Sequence, residues 1–137
     1  AAAEAAHSLD FPFMFVARAE GFLWGQPDLD EIIRRLQAFE KAGADVLFAP
    51  GLPSLDAIRT VVQSVTRPVN VVRGGPGPSL AELEAAGVRR VSTGGGLSRV
   101  AYTALKNAAA ELAGPGTFGW TEGILSTGAV NRLMTGQ

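Results

Sequence analysis

Apolar, β-branched runs alternate with helix-patterned stretches four times along this chain. The runs are Phe13–Ala17, Val46–Ala49, Val69–Val72 and Val88–Ser92. Each is a near-continuous apolar block rather than a polar/apolar alternation, as expected of parallel strands covered on both faces. The segments between them repeat apolar residues at helical spacing: Ile32, Ile33, Leu36 and Phe39, then Leu55, Ile58, Val61, Val62 and Val65. Strand–helix alternation of this kind predicts consecutive βα units of an α/β protein.

Punctuation between the elements agrees with that pattern. Asp28 with Glu31, and Ser79 with Glu82, read as capping boxes, and Ser54 reads as a further N-cap. Asp30–Arg34 and Glu31–Arg35 stand at i,i+4 on the wet face of their helix. Gly43 and Gly87 fall where helices end, in the position that favours left-handed backbone. Ala1–His7 reads as a helix end. Leu97–Leu112 is the longest helix-prone segment, and Gly114-Pro115-Gly116 separates it from a tail, Thr117–Gln137, of turn and helix character. The expected organisation is a single α/β domain over 1–137, with four βα units over 13–113 and a helical tail over 117–137.

The chain has 137 residues, is 47% hydrophobic and 18% charged, and carries a formal net charge of −1. That balance gives no electrostatic footprint for nucleic acid or an anionic membrane. With no cysteine and one histidine, His7, read as a helix-end surface residue, the chain is expected to hold neither a thiolate or imidazole metal triad nor a Ser-His-Asp site. No apolar run reaches membrane-spanning length, and the first residues lack a signal-peptide pattern. The expected setting is cytoplasmic, without nucleic acid or membrane partners.

Parallel α/β folds gather their chemistry where strands end. Arg18 ends the first apolar run and offers a bidentate fork for a carboxylate or phosphonate, with an ion pair to Glu20 as the plainer reading. Asn70, inside a valine-rich strand, needs polar partners, either a substrate oxygen or a neighbouring strand. Ser92, Thr93 and Gly94 begin a glycine loop before a helix, the setting of many anion sites, although such loops more often serve only as tight turns. Glu20 is read as a solvated carboxylate or a support for Arg18, and Trp24 as pocket cover or packing. Gly74–Pro78 reads as a plain connection, because its prolines lack the donors a pyrophosphate needs.

Four segments together resemble a known family: Val16–Gly25, Ala42–Leu52, Pro68–Val72 and Gly87–Gly96. In this order and spacing they are similar to the second half of the isocitrate lyase and phosphoenolpyruvate mutase superfamily, over residues 1 to 113. The resemblance implies strands five to eight of a (β/α)₈ barrel, a fold of about 250 residues. It implies a magnesium-dependent lyase or mutase acting, through an enolate-type intermediate, on a small α-keto or 2-hydroxy dicarboxylate or a phosphonate. It places the Mg²⁺ ligands and the loop with a Lys-Cys-Gly-His-type motif in a first half outside these residues. By resemblance Arg18 neutralises a small anionic metabolite, Asn70 orients it, and Ser92, Thr93 and Gly94 border the pocket. Pro50 stands where many carbon–carbon lyases of the family carry a glutamate.

The resemblance also implies a homo-oligomer that exchanges its C-terminal helix. Four strands leave two open edges, so a missing N-terminal half-barrel or a partner subunit is expected, and the chain is read as a fragment. Two other readings stay open: a non-catalytic half-barrel module that oligomerises, and a flavodoxin-like open sheet binding a phosphate ligand.

Overall fold

A computed structural model of the chain describes residues 1–136. Four strands, β1 (Val16–Arg18), β2 (Val46–Phe48), β3 (Val69–Val72) and β4 (Arg90–Ser92), form one parallel sheet in the order β1-β2-β3-β4. Each strand lies beside its predecessor with no reversal of order. An open doubly wound sheet reverses direction at its switch point, so the flavodoxin-like alternative is not the fold. The helices are α1 (Ala2–His7), α2 (Leu29–Lys41), α3 (Leu55–Ser64), α4 (Leu80–Ala85), α5 (Gly96–Ala113) and α6 (Thr127–Thr135).

The predicted caps form, with one exception. The side chains of Asp28, Ser54 and Ser79 accept the N–H groups of Glu31, Ala57 and Glu82. The Ser79–Glu82 box closes in both directions. Glu31 instead turns its carboxylate outward to Arg34 (2.7 Å) and Arg35 (2.8 Å). Arg34 therefore pairs with Glu31 rather than with Asp30, and only half of the expected first box exists.

The chain divides into two compact units between Gly96 and Leu97. In the first, register rows set the two faces of the sheet. Ala17, Leu47 and Val69 are aligned partners; they join Ile32 and Leu36 of α2 and Ile58 and Val61 of α3 in the buried core. The next row, Arg18–Phe48–Asn70–Arg90, occupies the opposite face, because successive side chains alternate. The predicted runs Phe13–Ala17 and Val88–Ser92 begin earlier than the ladders do: pairing starts only at Val16 and Arg90. In the second unit, α5 and α6 contain no buried residue. No described helix is long and apolar enough to cross a membrane.

Candidate functional site at the strand ends

Arg18 is the last residue of β1, and its guanidinium carbon lies 5.2 Å from the centre of the Phe48 ring at the end of β2. Register explains the contact, since Arg18 and Phe48 are aligned partners. The aromatic face steadies the flat cation by quadrupole attraction. Arg18 Nη2 also reaches Glu20 Oε1 at 2.5 Å. The expectation that Glu20 is simply solvated is thus incomplete: one of its oxygens holds Arg18, and the other accepts the indole N–H of Trp24 at 3.1 Å. Trp24 remains 74% exposed. It contributes little packing to the core of this unit.

The loop after β2 supports this corner. Pro50 is buried, and Gly51 follows with φ +87°. A Cβ on Gly51 would come within 3.1 Å of Phe22 Cβ, so the left-handed turn and the close approach both call for glycine. Phe22 in turn packs on the core. The 3-10 turn Gly21–Trp24, which carries Trp24, is thereby seated against the end of β2.

Asn70 stands in the same register row as Arg18, one strand beyond Phe48. It is 1% exposed, the one buried polar residue among those described. Its amide donates to Ser92 Oγ at 3.1 Å, bridging β3 and β4, while Oδ1 has no partner. Such an acceptor costs about 1–3 kcal/mol when left unsatisfied. The structural reading of Asn70 accounts for half of its amide. The other half, Oδ1, is buried without a donor.

Ser92 is half-buried, whereas Thr93 and Gly94 are exposed in the turn that follows β4. The Gly96 amide already donates to the Thr93 carbonyl at 2.9 Å, so that donor serves the turn. Arg73 is partly buried, and its guanidinium donates to the carbonyl oxygens of Gly75 and Pro76. The Gly74–Pro78 segment is therefore a connection braced by Arg73. His7 lies at the end of α1, away from the strand-end row, and bonds Asp45 at 2.9 Å.

Sequence reasoning did not identify Phe48 as a contributor. A phenylalanine in an apolar strand carries no signal until register places it under a guanidinium. The Glu20–Trp24 bond, four residues apart, was open to a spacing argument. No trio of carboxylate or imidazole groups suited to a metal ion occurs among the described residues. The ligand set for the magnesium ion that the resemblance implies is not gathered among these residues.

The phosphoenolpyruvate phosphomutase family model matches residues 1–113. No curated protein matches the chain at a significant level. Among solved structures, a protein from Burkholderia cenocepacia J2315 assigned as a lyase/mutase is 47% identical, with a TM-score of 0.91 over 97% of this chain and 49% of its own. Phosphoenolpyruvate phosphomutase from Streptomyces platensis subsp. rosaceus is 28% identical, with a TM-score of 0.74 over 90% of this chain and 44% of its own. A 2,3-dimethylmalate lyase of the same superfamily has a TM-score of 0.78 at 24% identity, over 95% of this chain and 47% of its own. At that identity the likeness is one of fold. The chain spans about half the length of these structures, and its parallel βα units match half of a TIM-like barrel. Strand order, spacing and the matched family model agree: the chain belongs to the phosphoenolpyruvate phosphomutase family of the isocitrate lyase/PEP mutase superfamily.

Proposed function

We propose that the whole protein is a lyase or mutase acting on a small α-keto or 2-hydroxy dicarboxylate, or a phosphonate analogue, and that this chain supplies the anion-holding side of its site. The observation that carries the reading is Arg18, half-exposed at a strand end with its flat guanidinium over the Phe48 ring. A guanidinium so placed offers its remaining N–H groups to a carboxylate or phosphonate in two parallel bonds. Asn70, in the same register row, supports the reading with an amide oxygen that lacks a donor. A ligand hydroxyl or an ordered water is the kind of group that would satisfy it.

Chemistry next to a carbonyl in this substrate class develops enolate-type negative charge, and fixed cationic donors stabilise such charge. Arg18 fits the simpler task of neutralising the remote anionic group, which holds the reacting carbon in place. Ser92 positions Asn70, and Thr93 and Gly94 border the row. The exposed apolar residues of the second unit, Leu133 and Met134 of α6 among them, favour an oligomer in which the tail packs on a partner chain.

Arg18→Ala in the whole protein tests the assignment. Removing one charge-assisted contact of about 1.5–3 kcal/mol should weaken dicarboxylate binding roughly ten- to a hundred-fold. Calorimetric titration with oxalate, the smallest dicarboxylate dianion, reads this directly. An affinity equal to that of the unsubstituted protein takes Arg18 out of the site.

A further inference from the structure

Glu20 divides its two carboxylate oxygens between different residues: Oε1 holds Arg18 Nη2 at 2.5 Å, and Oε2 accepts the Trp24 indole N–H at 3.1 Å. We propose that Glu20 is a positioning residue of the anion site, which fixes Arg18 for its ligand and couples the occupancy of Arg18 to the placement of Trp24. The inference rests on Arg18 being the anion-holding group.

The backbone between the three side chains is closely determined. Ala19 is buried, and its N–H donates to the Phe48 carbonyl at 2.9 Å, which continues the β1–β2 pairing past Arg18. The Leu23 N–H donates to the Glu20 carbonyl at 2.9 Å and forms the 3-10 turn that carries Trp24. Gly21 starts that turn; a Cβ there would approach Ile32 Cδ1 to 2.9 Å. The turn therefore lies tight on α2, and Glu20 leaves it beside the strand end. Arg18, which also rests on the Phe48 ring, and Trp24 are thus both tied to one carboxylate on a fixed segment.

Packing alone does not account for the arrangement. Trp24 is 74% exposed and Arg18 is half-exposed, so neither bond satisfies a buried group. The tie has a direct consequence for binding. An anion arriving at Arg18 meets a guanidinium already shared with a carboxylate. It must take the open N–H groups and loosen the Glu20 contact by repulsion between like charges. The strain passes through the other oxygen of Glu20 to the indole of Trp24. Glu20 keeps the guanidinium in one orientation, which reduces the ordering cost of binding.

The experiment follows the Trp24 indole N–H resonance in proton–nitrogen correlation spectra of the whole protein, assigned by its loss in Trp24→Phe. Oxalate is titrated, with affinity measured in parallel by calorimetry. The resonance of the unsubstituted protein should move with the midpoint of oxalate binding. In Glu20→Gln, nearly the same size and able to accept from the indole without holding the guanidinium, the resonance should cease to follow oxalate. Affinity should fall about five-fold, the scale of one exposed ion pair. Glu20→Ala should give the same loss of coupling, with the resonance shifted even before oxalate is added. An unchanged oxalate affinity in Glu20→Gln, or an indole resonance there that still tracks the titration, overturns the proposal. If Arg18→Lys also binds oxalate unchanged, the anion-site reading falls with it. If Arg18→Lys binds weakly while Glu20→Gln behaves as the unsubstituted protein, only the positioning role is lost.

Discussion

The two compact units of this chain are built from the same kinds of helix and similar caps, yet they bury opposite amounts. Residues 1–96 enclose a core in which Ile32, Leu36, Leu47, Val61 and Leu83 are almost wholly inaccessible. From Leu97 onward no described residue is buried, while Leu97, Val100, Tyr102, Leu105, Leu133 and Met134 are all well exposed. The difference shows where each kind of order comes from. In the first unit apolar burial holds the elements, and the caps trim their ends. In the second the helices rest on local hydrogen bonds, and α6, at 9 residues, is shorter than the roughly 12–15 residues below which an isolated helix is marginal in water.

Core truncation should separate the units most widely. Leu36→Ala, at a position 0% exposed, should cost about 2–5 kcal/mol in chemical denaturation. Leu105→Ala, 63% exposed, should stay within about 0.5 kcal/mol. Similar losses at both positions would mean that α5 is buried in solution, and the comparison would fail.

A smaller effect tests the caps. Ser79 and Ser126 hold the first turns of α4 and α6 through the N–H groups of Glu82 and Ala129. Replacing either by alanine removes about 1 kcal/mol of local helix stability. For Ser79→Ala the loss should appear as a lower global denaturation midpoint. For Ser126→Ala it should appear as faster amide exchange confined to α6, with the midpoint of the first unit unmoved.

The subtlest contrast is in pH. Glu40 accepts from the hydroxyl and N–H of Thr66 and from the N–H of Arg67, tying α2 to the segment before β3. Glu111 accepts from the Thr117 hydroxyl (2.6 Å), the Gly119 N–H (2.6 Å) and the Trp120 N–H (3.1 Å), tying α5 to the turn beyond it. The Thr66 hydroxyl is the main cause that holds Glu40 below its ordinary 4.5, and the Thr117 hydroxyl does the same for Glu111. A carboxyl depressed in the folded state stabilises fully above its unfolded value, and that contribution disappears as pH falls through the lower folded value. Both ties should therefore weaken as the pH drops below 4.5. Gly119 should lose exchange protection before Arg67, because the core still holds the first unit together. The reverse order would contradict the account.

The same division separates what could be read along the chain from what could not. The four strands, the helices between them, the Ser54 and Ser79 caps and the parallel α/β class follow from period and turn chemistry, which act over a few residues. Arg18 and Asn70 stood out because a charge and an amide at or within apolar strands need partners. The failed box at Glu31 shows the limit of spacing: the pattern allowed a cap, and two arginines within reach drew the carboxylate outward.

By itself, then, the sequence determined the elements, their parallel class and the polar residues that need partners, because each depends on near neighbours in the chain. Tertiary structure alone decided that Arg18, Phe48 and Asn70 share one row, that Ser92 takes one end of the Asn70 amide, and that Glu20 joins Arg18 to Trp24. The physical reason is register. A shift of one residue in any strand would turn its whole row to the other face, and only packing between distant segments chooses between the two.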